Sequence, residues 1–450
     1  MKLMRSASGP AAARLGALTA SRLVIAGAVV GLTALSLGST AVRAQDDDSW
    51  FRFGGAQNHG GQARRGEHGE TVDLASDAAL AKQWEANPPK GFPTLSKENI
   101  GPMKAAVKRY TDIVAMGGWR TLPVVELRGE SNNEVVSMLR QRLAIEGDLR
   151  SDGGYSPYFD AYLERALKRF QVRQGLTPNG QLNKQTIAAL NVPAAARLRQ
   201  LKANLERLTS LAASTPKRYI VVNIPAAQIE AVEGDRVVSR HSGVVGKIDR
   251  QTPILKSAVY ELNFNPVWHL PPTVIEKDLI PKGQDMARSG KSVLAKFGID
   301  AYDGNGKKLD PNAVNWSASS TRNVTFKQNP GPENPLGFVK INFANAHSVY
   351  MHDTPSQTLF GKNFRAASSG CVRVQNVHQL AAWILAENGD WTQERVVAMQ
   401  RTGERLDAKV KKPVPLYFAY ITSWATEDGM VHFRRDLYQR DGVGLTASAY

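Results

Sequence analysis

The sequence predicts a multidomain α+β protein in which a helical first part is followed by a β-rich second part. Its 450 residues are about three times the length of a ~150-residue domain, so two or three hydrophobic cores are expected. Apolar residues recur at helical spacing as far as residue 212, and runs typical of strands begin at residue 218. Beyond residue 44 no apolar run approaches the ~20 residues of a membrane span, which excludes a polytopic membrane protein.

The first 44 residues predict export. They contain five basic and no acidic side chains, an apolar stretch from Leu23 to Leu37, and small residues, Val42 and Ala44, where a signal peptidase would cleave. We expect a signal peptide over 1–44, with an uncleaved inner-membrane anchor as the alternative. Cleavage would lower the formal net charge from +16 to +11, since five positive and no negative charges are lost. A cationic exported protein suits an anionic lipid or an acidic cell-wall polymer, and export argues against nucleic acid.

A disordered tether is expected over 45–95, where glycine and mixed charges are frequent and clustered apolar residues are few. A helical scaffold is expected over 96–214. Its first helix is indicated by apolar residues at helical spacing and by a glycine pair that ends it. These residues are Met103, Val107, Tyr110 and Val114, followed by Gly117 and Gly118. Its last helix, Ala194 to Ala212, carries leucines in a three-four pattern that is typical of a core-facing side.

A small helical module is predicted within this scaffold, over residues 131–193. One helical face is marked by four apolar residues at positions i, i+3, i+4 and i+7. They are Leu163, Ala166, Leu167 and Phe170. The turn sequence at 178–180 precedes a further short helix. From these residues alone, a three-helix bundle that only packs is one interpretation.

A β-rich domain is predicted over 216–442, because β-branched runs alternate with turn sequences from Arg218 onward. A Lys-, Asn- and Gly-rich insertion over 273–335 interrupts this domain. An insertion of this length is either a functional lid or disordered. The later elements are strands at 338–343 and 348–352, a helix at 377–387, a closing hairpin around 427–429 and a tail at 443–450.

The chain contains a single cysteine, Cys371. One thiol excludes an intramolecular disulfide, a cysteine-ligated zinc site and an iron–sulfur cluster, each of which needs at least two cysteines. A buried structural cysteine is the more common role of a lone thiol. However, an unpaired thiol in an exported chain is liable to oxidation, and the small residues 368–370 leave the sulfur approachable. A nucleophilic cysteine is the alternative, and it requires a base because a free thiol is mostly protonated at pH 7.

A histidine is the expected base, and the sequence offers eight. His352 ends a strand-like run nineteen residues before Cys371 and precedes Asp353, which predicts a position at a strand edge, where active sites are commonly assembled. The competing histidines lie in the tether, in the β-rich domain and on the helix after the cysteine. They are His59, His68, His241, His269, His347, His378 and His432. From these residues alone, His352 is only the favoured candidate.

Four strings in the sequence resemble bacterial cell-wall proteins. ALKRFQVRQGLTPNGQLNKQTIAALNVP is similar to the peptidoglycan-binding repeat, which implies a wall-targeting or scaffold role for residues 131–193. YMHDTPSQTLF and the later SSGCVRV resemble the catalytic signature of the L,D-transpeptidases with the YkuD-type domain. NPGPENPLG, within the insertion, resembles the larger YcbB-type members. Many members have a histidine two residues before the nucleophile, where this chain, like the larger members, has Ser369.

This resemblance implies a β-rich L,D-transpeptidase catalytic domain with an inserted lid subdomain, and it assigns roles to two residues. Cys371 is the expected nucleophile and His352 the expected general base. The cysteine attacks the L-centre carbonyl of a tetrapeptide donor stem, D-alanine leaves, and the thioester passes to an acceptor amine to give a 3→3 cross-link. The alternatives are an L,D-carboxypeptidase or hydrolase on the same centre, attachment of an envelope protein to peptidoglycan, and a wall-binding scaffold without catalysis.

Further residues are expected beside the nucleophile. The backbone N–H groups of Gly370 and Cys371 are the expected oxyanion donors, and Ser369 borders them. Tyr350 lies two residues before the candidate base, so both side chains share one face of a strand, where the tyrosine contacts substrate, the oxyanion or only the core. Arg373 is expected to bind a stem carboxylate or to pair with a structural acid.

The implied partners are peptidoglycan stem peptides and glycan, with an outer-membrane protein as an alternative acceptor. No metal and no cofactor are expected, because the sequence contains no metal-ligand set or phosphate-binding loop and a thioester stores the donor's energy. The expected location is the periplasm of a bacterium with a diaminopimelate-type wall. The sequence indicates no oligomeric state.

Overall fold

The computed structural model describes residues 93–124, 134–149 and 156–442. The predicted signal peptide, the predicted C-terminal tail and the tether as far as residue 92 lie outside the described residues. Thr94 and Leu95 are buried, and Thr94 donates from its backbone N–H and its hydroxyl to the Glu230 carboxylate at 2.8 and 3.0 Å. Residues 94 and 95, which the sequence assigned to the disordered tether, are therefore packed against the β-rich domain. The predicted boundary between the tether and the ordered chain, at residue 96, lies too late in the sequence.

The described chain begins with helices and continues with strands. The helices are α1 (Ile100–Ala115), α2 (Glu134–Ile145), α3 (Ala161–Arg173), α4 (Lys184–Leu190), α5 (Ala194–Ala212), α6 (Pro272–Val274), α7 (Ile280–Arg288), α8 (Val293–Phe297), α9 (Ala318–Thr321), α10 (Val377–Leu385) and α11 (Gln393–Thr402). The strands are β1 (Arg218–Asn223), β2 (Gln228–Glu233), β3 (Arg236–Gly246), β4 (Leu255–Phe264), β5 (Trp268–His269), β6 (Ile299–Tyr302), β7 (Thr325–Gln328), β8 (Val339–Phe343), β9 (Met351–His352), β10 (Ala366–Ser368), β11 (Val372–Val374), β12 (Leu406–Ala419), β13 (Ser423–Ala425) and β14 (Val431–Phe433).

The two longest helices, α1 and α5, pack together on one face of the main sheet. Gly117 and Gly118 follow α1 with φ of 93° and 72°, a conformation that other residues rarely adopt, so the predicted helix end is confirmed. α5 has the predicted bounds, and Leu201 and Leu208 of its leucine stripe are buried in the core that it shares with α1.

The helical module contains α2, α3 and α4. Asp160 and Asn183 cap the last two of these helices by accepting hydrogen bonds from the backbone N–H groups of Leu163 and Thr186, each at 2.9 Å. The predicted apolar face of α3, which includes Phe170, is buried in a core that belongs to the module. The module therefore has a hydrophobic core of its own.

Within the described residues, nine strands form one sheet that closes on itself. Their order is β10-β3-β11-β9-β8-β4-β12-β1-β2, and β2 pairs with β3 as well as with β1. Eight strands thus form a ring, with β10 beside β3. Along β1, Ile220 and Val222 face the core that contains α10, whereas Tyr219 and Val221 face α1 and α5. This alternation follows from the two-residue period of a strand and buries β1 on both faces.

The predicted insertion is folded, so its interpretation as a disordered segment is wrong. A second sheet, β5-β7-β6, and the helices α6 to α9 enclose a separate apolar core that runs from Trp268 to Leu336. Gly283 of α7 allows close approach of the Trp316 ring, since a Cβ at this position would lie 2.2 Å from a ring carbon. The folded unit extends slightly beyond the predicted bounds of 273–335.

The end of the β-rich domain differs from the predicted hairpin. β13 and β14 pair around Gly429 as expected. The residues before them belong to β12, which pairs with β4 and β1 in the main sheet rather than with a neighbour in sequence. Across the described ranges, no helix has the length and apolar character needed to cross a membrane.

A buried ion network connects the helical module to β14. Arg173 contacts the carboxylates of Glu146 and Asp148 at 2.5 Å, and Arg142 contacts Glu146 at 2.5 Å. All four side chains are at most 5% exposed. Arg173 also donates to the backbone carbonyl of Val431 at 3.4 Å. Removal of one charge would leave the others buried and uncompensated, which is strongly destabilising.

Candidate active site

Adjacent strands bring the predicted thiol and the predicted base to one region of the sheet. β11 pairs in parallel with β9, so that Arg373 lies opposite His352. Cys371 directly precedes β11, and Tyr350 directly precedes β9. The backbone N–H of Val372 donates to the Tyr350 carbonyl at 3.0 Å, which fixes the two strand starts side by side. The structure thus places Cys371 next to Tyr350, with His352 on the neighbouring strand.

The Cys371 side chain is half-buried and its thiol is the free thiol that the sequence predicts. Burial raises the pKa of the Cys371 thiol to about 11. Hydrogen bonds from Tyr350 to the sulfur and the positive charges of Lys340 and Arg373 act in the opposite direction but do not outweigh burial. Cys371 is therefore a neutral thiol at pH 7.

The His352 imidazole is 1% exposed. Burial, followed by the positive charge of Arg373, lowers the pKa of His352 to about 3, so the ring is neutral at pH 7. Its Nδ1 lies 2.5 Å from the carbonyl oxygen of Asp353. This contact favours the tautomer with the proton on Nδ1, which leaves a lone pair on Nε2. A neutral imidazole is the form that accepts a proton.

One of the two predicted oxyanion donors is already hydrogen-bonded within the loop before Cys371. Gly370 has φ of 113°, which favours glycine, and its N–H donates to the Ser368 hydroxyl oxygen at 3.2 Å. The Ser368 hydroxyl in turn donates to the Cys371 carbonyl at 2.5 Å. The Gly370 N–H is therefore already engaged. Among the described residues the N–H of Cys371 has no acceptor, so it is the donor that remains available.

Ser369 contacts a residue that the sequence motifs do not indicate. Its hydroxyl oxygen accepts a hydrogen bond from Arg250 Nη1 at 2.7 Å, and the same guanidinium pairs with Asp278 of the insertion at 2.6 Å. Two residues further along the β3–β4 connection, the Thr252 hydroxyl donates to the Gly370 carbonyl at 2.9 Å. The β3–β4 connection, residues 247–254, thus stabilises the loop that carries Cys371. Through Arg250 this loop is also connected to the insertion.

Tyr350 lies next to Cys371, and it precedes a strand of only two residues rather than lying within the predicted five-residue strand. The Trp268 indole N–H donates to the Tyr350 hydroxyl at 3.2 Å, and the tyrosine and His352 ring centroids are 5.6 Å apart. Burial raises the pKa of Tyr350 well above its ordinary value, so the phenol stays protonated and remains a hydrogen-bond donor.

Two basic side chains lie on either side of His352. Arg373 is 1% exposed, which fits the structural part of its expected role. Lys340 lies opposite His352 on the other side, in β8, and its Nζ is 4.6 Å from the centre of the Tyr350 ring. Only the alternation of polar and apolar residues in strand 338–343 could have indicated that Lys340 faces the site.

The competing histidines described by the structure have other surroundings. His241 is buried and bonds the Ser239 hydroxyl and the Gln375 carbonyl, each at 3.0 Å. His378 bonds Gln400 at 2.7 Å. His432 is buried against a tryptophan ring, His347 is exposed, and His269 lies in β5 of the insertion. Across the described ranges no group of three His, Cys, Asp or Glu side chains could hold a metal ion.

Two parts of this chain match known protein families. Residues 217–414 match the family described as "L,D-transpeptidase catalytic domain" (YkuD), and residues 132–190 match the family described as "Putative peptidoglycan binding domain". Cys371 and His352 both fall within the first match. Residues 217–414 are thus an L,D-transpeptidase catalytic domain of the YkuD type, preceded by a domain of the peptidoglycan-binding type, and the family expected from the sequence is confirmed.

A curated relative and two solved structures carry the same family name. A "Putative L,D-transpeptidase" from Haemophilus influenzae is 29% identical over 222 residues, which are 49% of this chain and 44% of that protein. The match therefore spans less than half of the relative. L,D-transpeptidase structures from Xylanimonas cellulosilytica and Stackebrandtia nassauensis are 17% and 12% identical, cover 67% of this chain and 98% and 97% of their own, and have TM-scores of 0.23 and 0.26.

Proposed function

We propose that this protein is a peptidoglycan L,D-transpeptidase with a cysteine nucleophile. Cys371 attacks the L-centre carbonyl of a tetrapeptide donor stem and releases D-alanine, and the resulting thioester passes to an acceptor amine to give a 3→3 cross-link. The observation that carries this proposal is the position of the lone thiol, next to Tyr350 and one strand away from a buried neutral imidazole, inside an L,D-transpeptidase domain.

Proton transfer follows from the protonation states of the two groups. Since thiol and imidazole are both neutral, His352 Nε2 takes the thiol proton as the S–C bond forms. The imidazolium then gives this proton to the departing nitrogen of D-alanine, and the C–N bond breaks to leave the thioester. In the second half, the acceptor amine attacks the thioester carbonyl, its proton passes to His352, and the thiolate leaves and is reprotonated. Placed acid–base groups of this kind contribute roughly 10²–10⁴ in rate.

Two donors are available for the oxyanion. One is the backbone N–H of Cys371, which has no acceptor among the described residues, and the other is the Tyr350 hydroxyl, which stays protonated because burial raises its pKa well above the ordinary value. The Gly370 N–H is not included, because it bonds Ser368. Loss of one oxyanion donor costs about 3 kcal/mol of transition-state stabilisation.

The insertion is proposed to act as a lid over this site. Its last residue, Pro335, lies close to the base, since the Pro335 carbonyl acts to raise the pKa of the His352 ring. Its Asp278 holds Arg250, which bonds Ser369. Closure of the insertion over a bound stem would exclude water, which favours transfer to an amine over hydrolysis.

Export to a periplasm with a diaminopimelate-type wall, and recognition of glycan by the module at 131–193, complete the proposal. The net positive charge of the chain is suited to an acidic wall polymer. An L,D-carboxypeptidase, in which water resolves the thioester, and transfer to an envelope protein use the same Cys371 chemistry and differ only in the acceptor.

Product analysis distinguishes these outcomes. The purified protein is incubated with disaccharide tetrapeptide, and the products are weighed by mass spectrometry. A dimer with the mass of two fragments minus one D-alanine supports the transpeptidase, and Cys371→Ala should form none. If the wild-type protein yields only tripeptide fragments, the cross-linking claim fails and the carboxypeptidase takes its place.

A further inference from the structure

A cleft lies between the helical module and the β-rich domain. Its main walls are the loop after α3, Gln185 of α4, the β1–β2 turn, the segment 363–366 that leads into β10, and residues 434, 435 and 437. It encloses about 740 Å³, part of it open to solvent, which falls within the ~300–1,000 Å³ of typical ligand sites. None of the described residues that line it belongs to the candidate active site. We call it the interdomain cleft.

The two sides of the interdomain cleft are joined by hydrogen bonds. The Asn363 side-chain oxygen accepts from the backbone N–H and the hydroxyl of Thr177, at 2.9 and 2.8 Å. The Asn363 amide also donates to the Gln185 side chain at 2.6 Å. Thr177 and Gln185 belong to the module, whereas Asn363 belongs to the β-rich domain. The cleft is therefore preformed, and a ligand does not have to bring its walls together, which lowers the cost of binding.

The interdomain cleft has a positive lining. Three arginines line it, Arg365, Arg434 and Arg435, and among the described lining residues there is no acid. Arg365 donates to four backbone carbonyls at 3.0–3.3 Å, which fixes its guanidinium group. Arg434 is 6% exposed, and Gly175 makes room for it, since a Cβ at residue 175 would lie 2.6 Å from Arg434 Nε. Fixed guanidinium groups in a cleft without carboxylates favour an anionic ligand, and a carboxylate matches their geometry.

Apolar surface lies beside these charges. The Phe364 side chain is 41% exposed, and the Arg435 guanidinium lies 4.8 Å from the centre of its ring. Small and aliphatic residues form the rest of the apolar lining, mainly Ile224, Pro225, Ala226, Ala227 and Val245. A ligand that combines carboxylates with short aliphatic groups fits this lining. A neutral sugar would offer no carboxylate to the arginines.

We propose that the interdomain cleft binds a carboxylate-bearing peptide stem of peptidoglycan, and that this stem is a second one, distinct from the donor that reacts with Cys371. Arg435 donates charge-assisted hydrogen bonds to a stem carboxylate, and the Phe364 ring packs against the aliphatic part of the peptide. The identity of the ligand rests on the proposed function, because that function makes peptidoglycan the polymer on which the enzyme acts.

A second stem site would keep the enzyme on its polymer. The segment 363–366 continues through β10 to Cys371, so the cleft and the thiol are connected by a short stretch of chain. When one stem occupies the cleft, capture of another stem of the same polymer at Cys371 becomes an intramolecular event. The effective concentration of that stem then exceeds its concentration in solution.

The test is calorimetric titration of the protein with a tripeptide stem, which lacks the D-alanine that the proposed reaction releases and so cannot react as a donor. The same tripeptide with amidated carboxylates and the disaccharide without a stem are titrated in parallel. The wild-type protein should bind the acidic tripeptide most tightly. Arg435→Gln should raise its Kd roughly tenfold to a hundredfold, and Arg435→Lys should recover part of this loss. A photoreactive copy of the tripeptide should cross-link to residues 363–366 or 434–437, as located by peptide mapping.

The matched control is Arg401→Gln, an exposed arginine on α11, which should keep the wild-type Kd. The rate at which iodoacetamide alkylates Cys371 should be the same in Arg435→Gln and in the wild type, which shows that the variant is folded. An unchanged Kd in Arg435→Gln would overturn the assignment. Equal binding of the acidic and amidated tripeptides, tighter binding of the disaccharide, or cross-links only to residues beside Cys371 would overturn it as well.

Failure of the proposed function gives a different result. A wild-type protein that binds the tripeptide through Arg435, yet forms neither dimer nor tripeptide from a tetrapeptide substrate, would remove the transpeptidase and leave the stem site in place. A protein that forms the cross-linked dimer, but binds the tripeptide equally well with and without Arg435, would remove only the stem site.

Discussion

At the scale of single residues, Cys371 and His352 are both uncharged at neutral pH. Burial raises the pKa of the thiol to about 11 and lowers the pKa of the imidazole to about 3. A preformed thiolate–imidazolium pair would need the opposite order of the two pKa values. The proposed mechanism therefore requires proton transfer during the attack. The neutral state also protects the thiol from oxidation, since the thiolate is the reactive species.

The rate at which iodoacetamide alkylates Cys371 should show directly that the thiol is protonated at neutral pH. Because only the thiolate reacts, the rate constant should rise about tenfold per pH unit between pH 7 and pH 10 and level off only near pH 11. Mass spectrometry of the alkylated protein gives the rate at each pH, with Cys371→Ala as the blank. A plateau below pH 8 would indicate a stabilised thiolate and would contradict the general-base mechanism.

The sequence predicts Cys371, His352 and Tyr350 as site residues because short strings and spacing mark them, and the structure places the three close together. Arg250 and Lys340 were not predicted as neighbours of the site. Their positions beside Ser369 and His352 arise from contacts between segments that are distant in sequence. Arg250 is 119 residues from Ser369 in sequence. The residues around a lysine or arginine in the sequence do not indicate which strand or loop will lie beside its side chain in the fold.

At the scale of elements, the β3–β4 connection supports the loop that carries Cys371. Thr252 is fully buried, and its hydroxyl donates to the Gly370 carbonyl at 2.9 Å and accepts from the Gly246 N–H at 2.8 Å. These bonds hold Gly370 at φ of 113° and so orient the N–H of Cys371. The connection is thus a positioning element that does not itself touch the reacting atoms.

Thr252→Val tests this role. The substitution keeps the shape of the side chain but leaves a buried N–H and a buried carbonyl without a partner, which should lower the free energy of unfolding by about 1–3 kcal/mol. A misplaced oxyanion donor should also lower kcat/KM per folded molecule roughly tenfold to a hundredfold. The control is Thr209→Val on the exposed face of α5. Full kcat/KM in a destabilised Thr252→Val protein would show that the connection is only structural.

Local patterns predicted the helices better than the strands. The bounds of α5 were predicted to the residue, because leucine spacing and the residues at its ends are local signals. β9 is only two residues long, and β12 joins β4 and β1 instead of a hairpin, because strand pairing depends on segments far away in sequence. The fold of the insertion was not predicted either, since its composition resembles that of a mobile loop.

At the scale of the whole molecule, the helical module is connected to β14 of the β-rich domain by buried charges. Burial alone would raise the pKa of Glu146, but the adjacent charges of Arg142 and Arg173 outweigh burial and hold that pKa well below its ordinary value. Arg434 adds a second contact, since it donates to the Arg173 carbonyl at 3.0 Å. The module therefore has a fixed position relative to the catalytic domain.

Glu146→Gln should lower the free energy of unfolding by about 3–5 kcal/mol at pH 7, because two buried guanidinium groups lose a charged partner. The folded pKa of Glu146 lies below its unfolded value of 4.5, so its contribution is complete above that pH and is lost as the pH falls further. The difference between wild type and variant in urea unfolding should accordingly shrink below about pH 4.5. The exposed pair Glu164–Lys168 provides the control, since Glu164→Gln should change the free energy of unfolding by no more than about 0.5 kcal/mol. An equal effect of both substitutions would contradict the role of the buried network.

The central claim is that Cys371 forms the covalent intermediate, and intact-protein mass spectrometry with a tetrapeptide donor tests it most directly. The wild-type protein should gain the mass of the donor minus D-alanine, and peptide mapping should place this adduct on Cys371. Cys371→Ala should gain no mass and release no D-alanine. Release of D-alanine by the Cys371→Ala protein at the wild-type rate would contradict the account.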